Sequence, residues 1–364
     1  MSTATRPARQ DSAEKPGVPT VSIVIPMRDG ERSIAACLDA ILLQDYPGDC
    51  VEILVVNGAS QDRSRAVVDA YRERCARIRL LENPAGSIPA GLNVGIRAAR
   101  GDVIARVDAR TLLAPDYLRV GVDLLRRTGA SNVGGPVRAV TAAYWGRVLA
   151  LATQSRFGMG GAAVRYGEGE SREVDTVYLG MYPRAVLEAV GLYDEELLRD
   201  QDDELNYRVR ARGGRILLDP ALKTRYLNSP SIRRFASQNF LYGYWKVRVC
   251  QKHPTMASWR HLVPPAFVAS VLSGMLLALT GTLPAASLYG LGAVYALSAV
   301  GAAALLGRRG GWQYVPALPV TFTLLHLSWG LGFLAGLVRF LPRWAVRDAS
   351  PPALQPADSA SRSL

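Results

Sequence analysis

The chain has 364 residues, a formal net charge of +12 and 49% apolar residues, a composition that suits one or two folded domains. Its four cysteines, Cys37, Cys50, Cys75 and Cys250, lie far apart without metal-ligand or redox spacing, and are read as reduced thiols of a cytosolic face. The three histidines, His253, His261 and His326, are too few and too late in the chain to complete a zinc site with them, and are read as boundary or core residues.

Met1 to Thr20 mixes Ser, Ala, Pro and both charges without an apolar core, which excludes a secretory signal and reads as a disordered leader. Val21 to Pro26 is an apolar strand, followed by the loop Met27-Arg28-Asp29-Gly30 and a helix from Glu31 to about Gln44 with Ile34, Leu38, Ile41 and Leu42 on one face. Val51 to Val56 is a second strand, ending at Asn57 and leading through Gly58-Ala59-Ser60-Gln61-Asp62 into a helix that groups Val67, Ala70, Tyr71 and Cys75. Ile78 to Leu81 is a third strand. The next helix aligns Leu92, Ile96 and Ala99 and stops at Gly101-Asp102. Val103 then opens a fourth, buried strand that delivers Asp108 to its end. Strand and helix alternate four times, which predicts an α/β fold with a parallel sheet covered on both sides.

In such a sheet the ligand crevice lies at the carboxyl ends of the strands. Those tips carry Arg28, Asp29, Asn57 and Asp108, a set suited to a nucleotide diphosphate. The Asn57 amide can both accept from and donate to a pyrimidine edge. Arg28, Arg106 and Arg110 offer forked donors to phosphate oxygens. No Walker-type loop is present. Gly158 to Ala163 matches a dinucleotide fingerprint by letters, but it follows the polar stretch Thr153 to Arg156 rather than a first strand, and reads as a mobile loop.

Further on, Pro115 to Arg127 is an amphipathic helix, Asn132 to Val140 a glycine-interrupted strand, and Glu173 to Gly180 a strand with a short helix after Pro183. The glycine-rich segment Trp145 to Glu170 has no clear period. Asp194-Glu195-Glu196 and Asp200-Gln201-Asp202-Asp203-Glu204 form the densest acidic run and lead into a helix stopped by Gly213-Gly214. Two readings stand for it: aspartates capping a helix start beside a solvated face, or one carboxylate acting as a general base for a hydroxyl nucleophile.

Several segments together resemble the family 2 glycosyltransferases of GT-A fold: Val21 to Pro26, Ile53 to Asp62, Ala90-Gly91-Leu92-Asn93-Val94-Gly95, Ala99 to Asp102, and Val107-Asp108-Ala109. The resemblance implies an inverting transferase that uses a nucleotide-activated sugar, with Mg2+ or Mn2+. Carried over, Pro26, Asn57 and Asp62 hold the nucleotide, with Arg28, Asp29, Asn93 and Arg106 completing the donor site, and Asp108 is the first carboxylate of the Asp-x-Asp metal motif. Two departures matter: Asn57 replaces the usual Asp after the second strand, and Arg110 replaces the second metal carboxylate. Either Asp108 and the diphosphate hold the cation alone, or Arg110 neutralises the leaving group.

Gln201 to Leu205 occupies the place of the family's Glu-Asp-x-Asp-Leu motif, which implies Asp202 as the base and Gln201 as a further departure. Val174-Asp175-Thr176-Val177, Gly191 to Glu195, Arg199 to Asn206 with Asp203, and Ala105 to Ala109 narrow the resemblance to the succinoglycan-type exopolysaccharide glucosyltransferases. That subgroup implies transfer of a hexose to a lipid-linked saccharide. Downstream, Gln238 is not followed by the Arg-Trp of the processive branch, which favours addition of a single sugar.

Val263 to Leu283, Ala285 to Leu306 and Trp312 to Val338 are apolar runs long enough to span a bilayer, with charge between residues 262 and 338 only at Arg308 and Arg309. Trp259, Trp312 and Trp344 sit near their ends. Arg233, Arg234, Lys246, Arg248, Lys252 and Arg260 precede the first run, so the positive-inside rule keeps the catalytic domain cytoplasmic. This basic stretch is suited to anionic lipid or a polyprenyl diphosphate, and the lack of a nucleic-acid module argues against nucleic acid. A third full span would put Arg339, Arg343 and Arg347 outside, against the rule, so this segment is expected to be re-entrant or an exception.

The expected organisation is a leader (1–20), a GT-A domain (21–228), a basic juxtamembrane segment (229–261), two to three transmembrane helices (262–341) and a disordered tail (342–364). The expected activity is hexose transfer from a nucleotide-diphosphate sugar, UDP-sugar favoured, to a polyprenyl-linked saccharide at the inner membrane. Its rivals are transfer to polyprenyl monophosphate and a catalytically silent sugar-nucleotide-binding subunit, the latter motivated by Asn57, Arg110 and Gln201.

Overall fold

The structure is a computed structural model that describes residues 17–136, 139–140, 143–160, 169–227 and 231–345. Most of the expected leader and tail, Arg347, and positions 161–163 of the expected glycine loop lie outside the described residues.

In chain order the first half contains β1 (Val21–Met27), α1 (Ile34–Leu42), β2 (Val51–Asn57), α2 (Ser64–Arg72), β3 (Ile78–Glu82), α3 (Ile88–Ala98), β4 (Val103–Arg106), β5 (Thr111–Leu113) and α4 (Tyr117–Thr128). The middle contains β6 (Asn132–Gly135), β7 (Ala139–Val140), α5 (Tyr144–Thr153), α6 (Arg156–Met159), β8 (Arg172–Glu173), β9 (Tyr178–Pro183), α7 (Arg184–Val190), α8 (Gln201–Ala211), β10 (Ile216–Leu218) and β11 (Thr224–Leu227). The chain continues through α9 (Ile232–Lys252), α10 (Trp259–Leu279), α11 (Ala285–Gly310), α12 (Leu318–Phe340) and α13 (Pro342–Ala345).

Among the described residues, eight strands form one sheet in the order β3-β2-β1-β4-β9-β6-β10-β8, and β5-β11-β7 form a second. The two-residue period of the strands sends alternate side chains to opposite faces. Ile23, Ile25, Ile53 and Val55 pack with α1, α2 and α4, while Val24, Leu54 and Val56 pack with α3, α7 and α8. Burying each of these aliphatic side chains contributes about 1.5–3 kcal/mol, which holds the sheet between its helices.

β1 to β4 pair in parallel, as four alternations predict, but β9 runs antiparallel between β4 and β6. The single strand expected from Glu173 to Gly180 is in fact two, with β8 at the sheet's edge on β10 and β9 at its centre. Val174 and Val177 pack on the core within the crossing between them, so its sequence reads like a strand and conceals the break. Asn132 to Val140 likewise divides between the two sheets, and the segment from 145 to 170 contains α5 and α6, with Gly158 inside α6.

The basic stretch before the first apolar run is largely the helix α9, which runs beside α12. Gly243 lies against the Trp329 backbone, and Gly332 against that of Phe240; a Cβ at either position would collide, so these helices approach closely. Lengths and hydropathies qualify three helical segments as membrane spans, but their burial differs: 17%, 17% and 39%. The first half of α12 touches the α/β domain, and its last residue touches α9. At its start His326 Nε2 lies 2.9 Å from the Phe157 carbonyl, and Phe322 packs with Val148 and Ala152. At its end Gln251 of α9 donates to the Phe340 carbonyl (2.9 Å), and just beyond it Arg343 of α13 pairs with Glu196. The turn after α11 also returns to the α/β domain, where the Tyr144 hydroxyl donates to the Gln313 carbonyl (2.9 Å).

Candidate active site

The loops after β1 and β2 are stitched to each other. The Asp29 amide donates to Ser60 Oγ (3.0 Å), and Asp29 Oδ1 accepts from the Gln61 amide (2.8 Å). Asp29 itself has a φ of 50°, left-handed for a non-glycine residue. Asp62 accepts from the amides of Glu31 and Ser64, both at 3.0 Å, and from the Ser64 hydroxyl. Burial pushes the Asp62 carboxyl up, yet these donors together outweigh it and hold the group below its ordinary value.

Asn57, buried at the tip of β2, accepts from the Ser60 amide (3.1 Å) and donates to Glu82 (3.0 Å). Pro26 lies in register with Val56 on β2, and exposed Arg28 reaches the Gly86 carbonyl at 3.5 Å. Asn93 is committed to structure: it donates at 2.8 Å to the Tyr193 carbonyl and to Glu195, and accepts from the Tyr193 amide (2.9 Å). It staples the acidic loop to α3.

The centre of the arrangement is Arg106, the last residue of β4. Its Nε and Nη2 donate to Asp108 Oδ1 (3.2 and 3.1 Å), and its Nη1 donates to Asp202 Oδ1. Two carboxylates remote in sequence thus share one guanidinium. The Arg106 side chain is 6% exposed whereas Asp108 and Asp202 are 27% and 25% exposed, so the cation is sealed in while both carboxylates stay partly open to solvent. Burial pushes Arg106 down, but Asp108 and Asp202 more than compensate and keep it firmly charged.

Tyr178, which the sequence reading missed, donates to Asp108 Oδ2 (3.1 Å). Burial and Asp108 raise its phenol well above the usual range, so it stays a proton donor. No local signal marks it, because a register shift in β9, with Leu179 at a φ of 53°, breaks the two-residue alternation between Tyr178 and Tyr182. Tyr182 in turn donates to Asn206 (3.1 Å), and Asn206 also joins Asn132 and Thr176, both at 2.8 Å. Asn206 is one helical turn after Asp202 and fastens α8 to the sheet.

The acidic run is not a solvated face. Asp200, the residue before α8, makes no side-chain cap and has a φ of 60°. It and Asp203 instead bind Lys246 of α9, at 2.9 and 3.0 Å. Burial opposes the Lys246 charge, but the two aspartates raise it above its ordinary value. Glu196 receives Arg248 (2.9 Å) and Lys252 (2.6 Å), and His253 lies 2.9 Å from Glu204. Asp175 lies apart from this arrangement, 82% exposed and paired with Arg210 at 2.7 Å.

Arg110 lies close enough to the Tyr226 phenol to oppose the upward push of burial on it, and its carbonyl accepts from the Leu227 amide (2.8 Å). The residues present do not fit a divalent cation held by the chain alone. Asp108 has both oxygens engaged, an arginine stands two residues on, and among the described residues no three Asp, Glu, His or Cys side chains converge.

Residues 22–189 match the family model described as glycosyl transferase family 2. The succinoglycan biosynthesis protein ExoA of Rhizobium meliloti is 27% identical over 89% of this chain and 96% of its own. A glycosyltransferase of Methanococcus voltae, named as a dolichyl N-acetyl-alpha-D-glucosaminyl phosphate 3-beta-D-2,3-diacetamido-2,3-dideoxy-beta-D-glucuronosyltransferase, is 25% identical over 88% of this chain and 97% of its own. A mannosyltransferase of Pyrobaculum calidifontis, solved with GDP-Man and Mn2+, superposes with a TM-score of 0.60 at 19% identity, covering 87% of each chain. On these grounds residues 22–189 are a glycosyl transferase family 2 domain, within a GT-A-like α/β fold that is followed by apolar helices.

Proposed function

We propose that this chain is a membrane-anchored inverting hexosyltransferase, moving a sugar from a nucleotide diphosphate, UDP favoured, to a polyprenyl-linked saccharide. The observation that carries the reading is the pair Asp108 and Asp202, joined by Arg106 at the rim of the sheet. Asp202 takes the proton from an acceptor hydroxyl as its oxygen attacks the anomeric carbon. The bond to the nucleotide diphosphate breaks on the opposite face, which inverts the centre. Arg106 and Arg110 bring fixed positive charge to the side where the diphosphate leaves. The charge at the leaving diphosphate is assigned to these arginines, because both Asp108 oxygens are engaged and the chain's own residues do not complete a site for Mg2+ or Mn2+.

Pro26, Arg28, Asp29, Asn57 and Asp62 line the nucleotide end. Asn93 and Asp203 act by holding the acidic loop and α8, and Asp175 by meeting an acceptor at the surface. The relatives' names, one in succinoglycan biosynthesis and one with a dolichyl-linked acceptor, support a lipid-linked saccharide.

We place α10 and α11 across the membrane as a hairpin, with α12 lying along the catalytic domain. The contact of Gln313, just after α11, with Tyr144, and those of α12 with Phe157 and with Gln251 of α9, support this arrangement. Arg308, Arg339 and Arg343 then share the cytoplasmic side with the domain, as the positive-inside rule requires.

The test is transfer by membranes given a panel of nucleotide sugars and a lipid extract, comparing the wild type with Asp202→Asn. A glycosidic product is expected, and turnover should fall about a thousandfold in the variant while nucleotide binding persists. Unchanged turnover would remove Asp202 from the mechanism, and a sugar phosphodiester product would redirect the reading to polyprenyl monophosphate as acceptor.

A further inference from the structure

We propose that Lys246 is a positioning residue for transfer: through Asp200 and Asp203 it holds the turn that presents Asp202, and so couples the base to the seating of α9 on α12. The inference rests on the reading of Asp202 as the base. Asp200 and Asp203 flank Asp202 in sequence, and both bind the Lys246 ammonium, at 2.9 and 3.0 Å. The contact is closed to water, with side-chain exposures of 9% for Lys246, 8% for Asp200 and 18% for Asp203.

Asp200 keeps a left-handed backbone, φ 60°, without capping the helix that it precedes. A non-glycine residue stays in that region when its surroundings enforce it. Here the enforcing partner is a cation on another helix. Asp202 is therefore approached from two sides: Arg106 meets its carboxylate from the sheet, and Lys246 fixes its neighbours from α9.

Lys246 in turn cannot move alone. Gly243, three residues earlier on α9, abuts the Trp329 backbone of α12, and Gly336 of α12 abuts Tyr244. A shift of α12 along this seam displaces α9, then the ammonium, then the turn. Small errors in the aim of a reacting group cost large factors in rate, so the expected penalty falls on the chemical step.

The experiment uses the full chain in lipid vesicles and measures kcat, donor KM and nucleotide affinity by calorimetry for Lys246→Met, Lys246→Arg and Asp200→Gly. Lys246→Met and Asp200→Gly should lower kcat by about ten- to a hundredfold, with donor KM and nucleotide affinity within about twofold of wild type. Lys246→Arg should recover most of the rate. Glycine adopts a positive φ without cost, so Asp200→Gly removes the tether while leaving the turn free to form, and it decides the matter if Lys246→Met does not fold. Near-normal kcat in Asp200→Gly, or a loss of nucleotide affinity as large as the loss of kcat, would overturn the proposal. A wild-type rate in Asp202→Asn would instead overturn the base assignment and leave the tether as a structural feature.

Discussion

Two places in this molecule use the same chemistry, a buried cation between two aspartates, for different ends. At the sheet rim, Arg106 joins Asp108 and Asp202, and both carboxylates keep about a quarter of their surface open. At the face of α9, Lys246 joins Asp200 and Asp203, and one of these is closed to 8%. Pairing alone does not mark a reactive site, because a carboxylate that no substrate can reach cannot take a proton from it. Exposure separates the two: the open pair is the one we assign to chemistry, and the closed pair the one we assign to holding the scaffold.

The comparison can be broken most forcefully at the rim. Arg106→Met leaves two neighbouring carboxylates without their shared cation and should cost about 3 kcal/mol in urea unfolding, besides the loss of transfer. A stability near wild type would mean that the carboxylates simply turn to solvent and that Arg106 does not join them. An intermediate effect is expected at Arg110. Arg110→Asp restores a second carboxylate two residues after Asp108, and should lower the Mn2+ concentration for half-maximal nucleotide binding by about tenfold, read by calorimetry. No change would place the cation site away from Asp108.

The smallest effect belongs to the α9 face and depends on pH. Burial pushes the Glu196 carboxyl up, but hydrogen bonds from Arg248 and Lys252 dominate and lower it from 4.5 to about 2. A group lower in the folded than in the unfolded chain stabilises the fold above its unfolded value and loses that contribution as pH falls toward the folded one. Stability should therefore decline between pH 4.5 and about 2, and Glu196→Gln should flatten that decline by ~1 kcal/mol, since the group is one-third exposed and screened. An equal decline in the variant would assign the acid sensitivity to other carboxylates.

Much of the first half of the fold was legible because its signals are local. Val21 to Arg106 alternates apolar strands with helices of matching period, and β1 to β4 pair in parallel as that alternation requires. The second half was not, because β9 enters the sheet between β4 and β6 from far along the chain, and β10 and β11 are short runs without a distinctive period. At the site, Asp108 and Asp202 were legible from their motif positions, whereas Tyr178 and Lys246 act through contacts that bring remote segments together.

The apolar helices divide in the same way. Composition alone determined that three segments are long and apolar enough to enter a membrane, and that basic residues precede them, since hydropathy is a sum over neighbours in the chain. Tertiary structure decided that α12 differs from the two helices before it, because its burial depends on α5, α6 and α9, which no window of its own sequence contains. For the same reason the sequence determined which acidic groups are present, and only the packing of α8 between the sheet and α9 decided which of them stay partly open to solvent and which are closed around a cation.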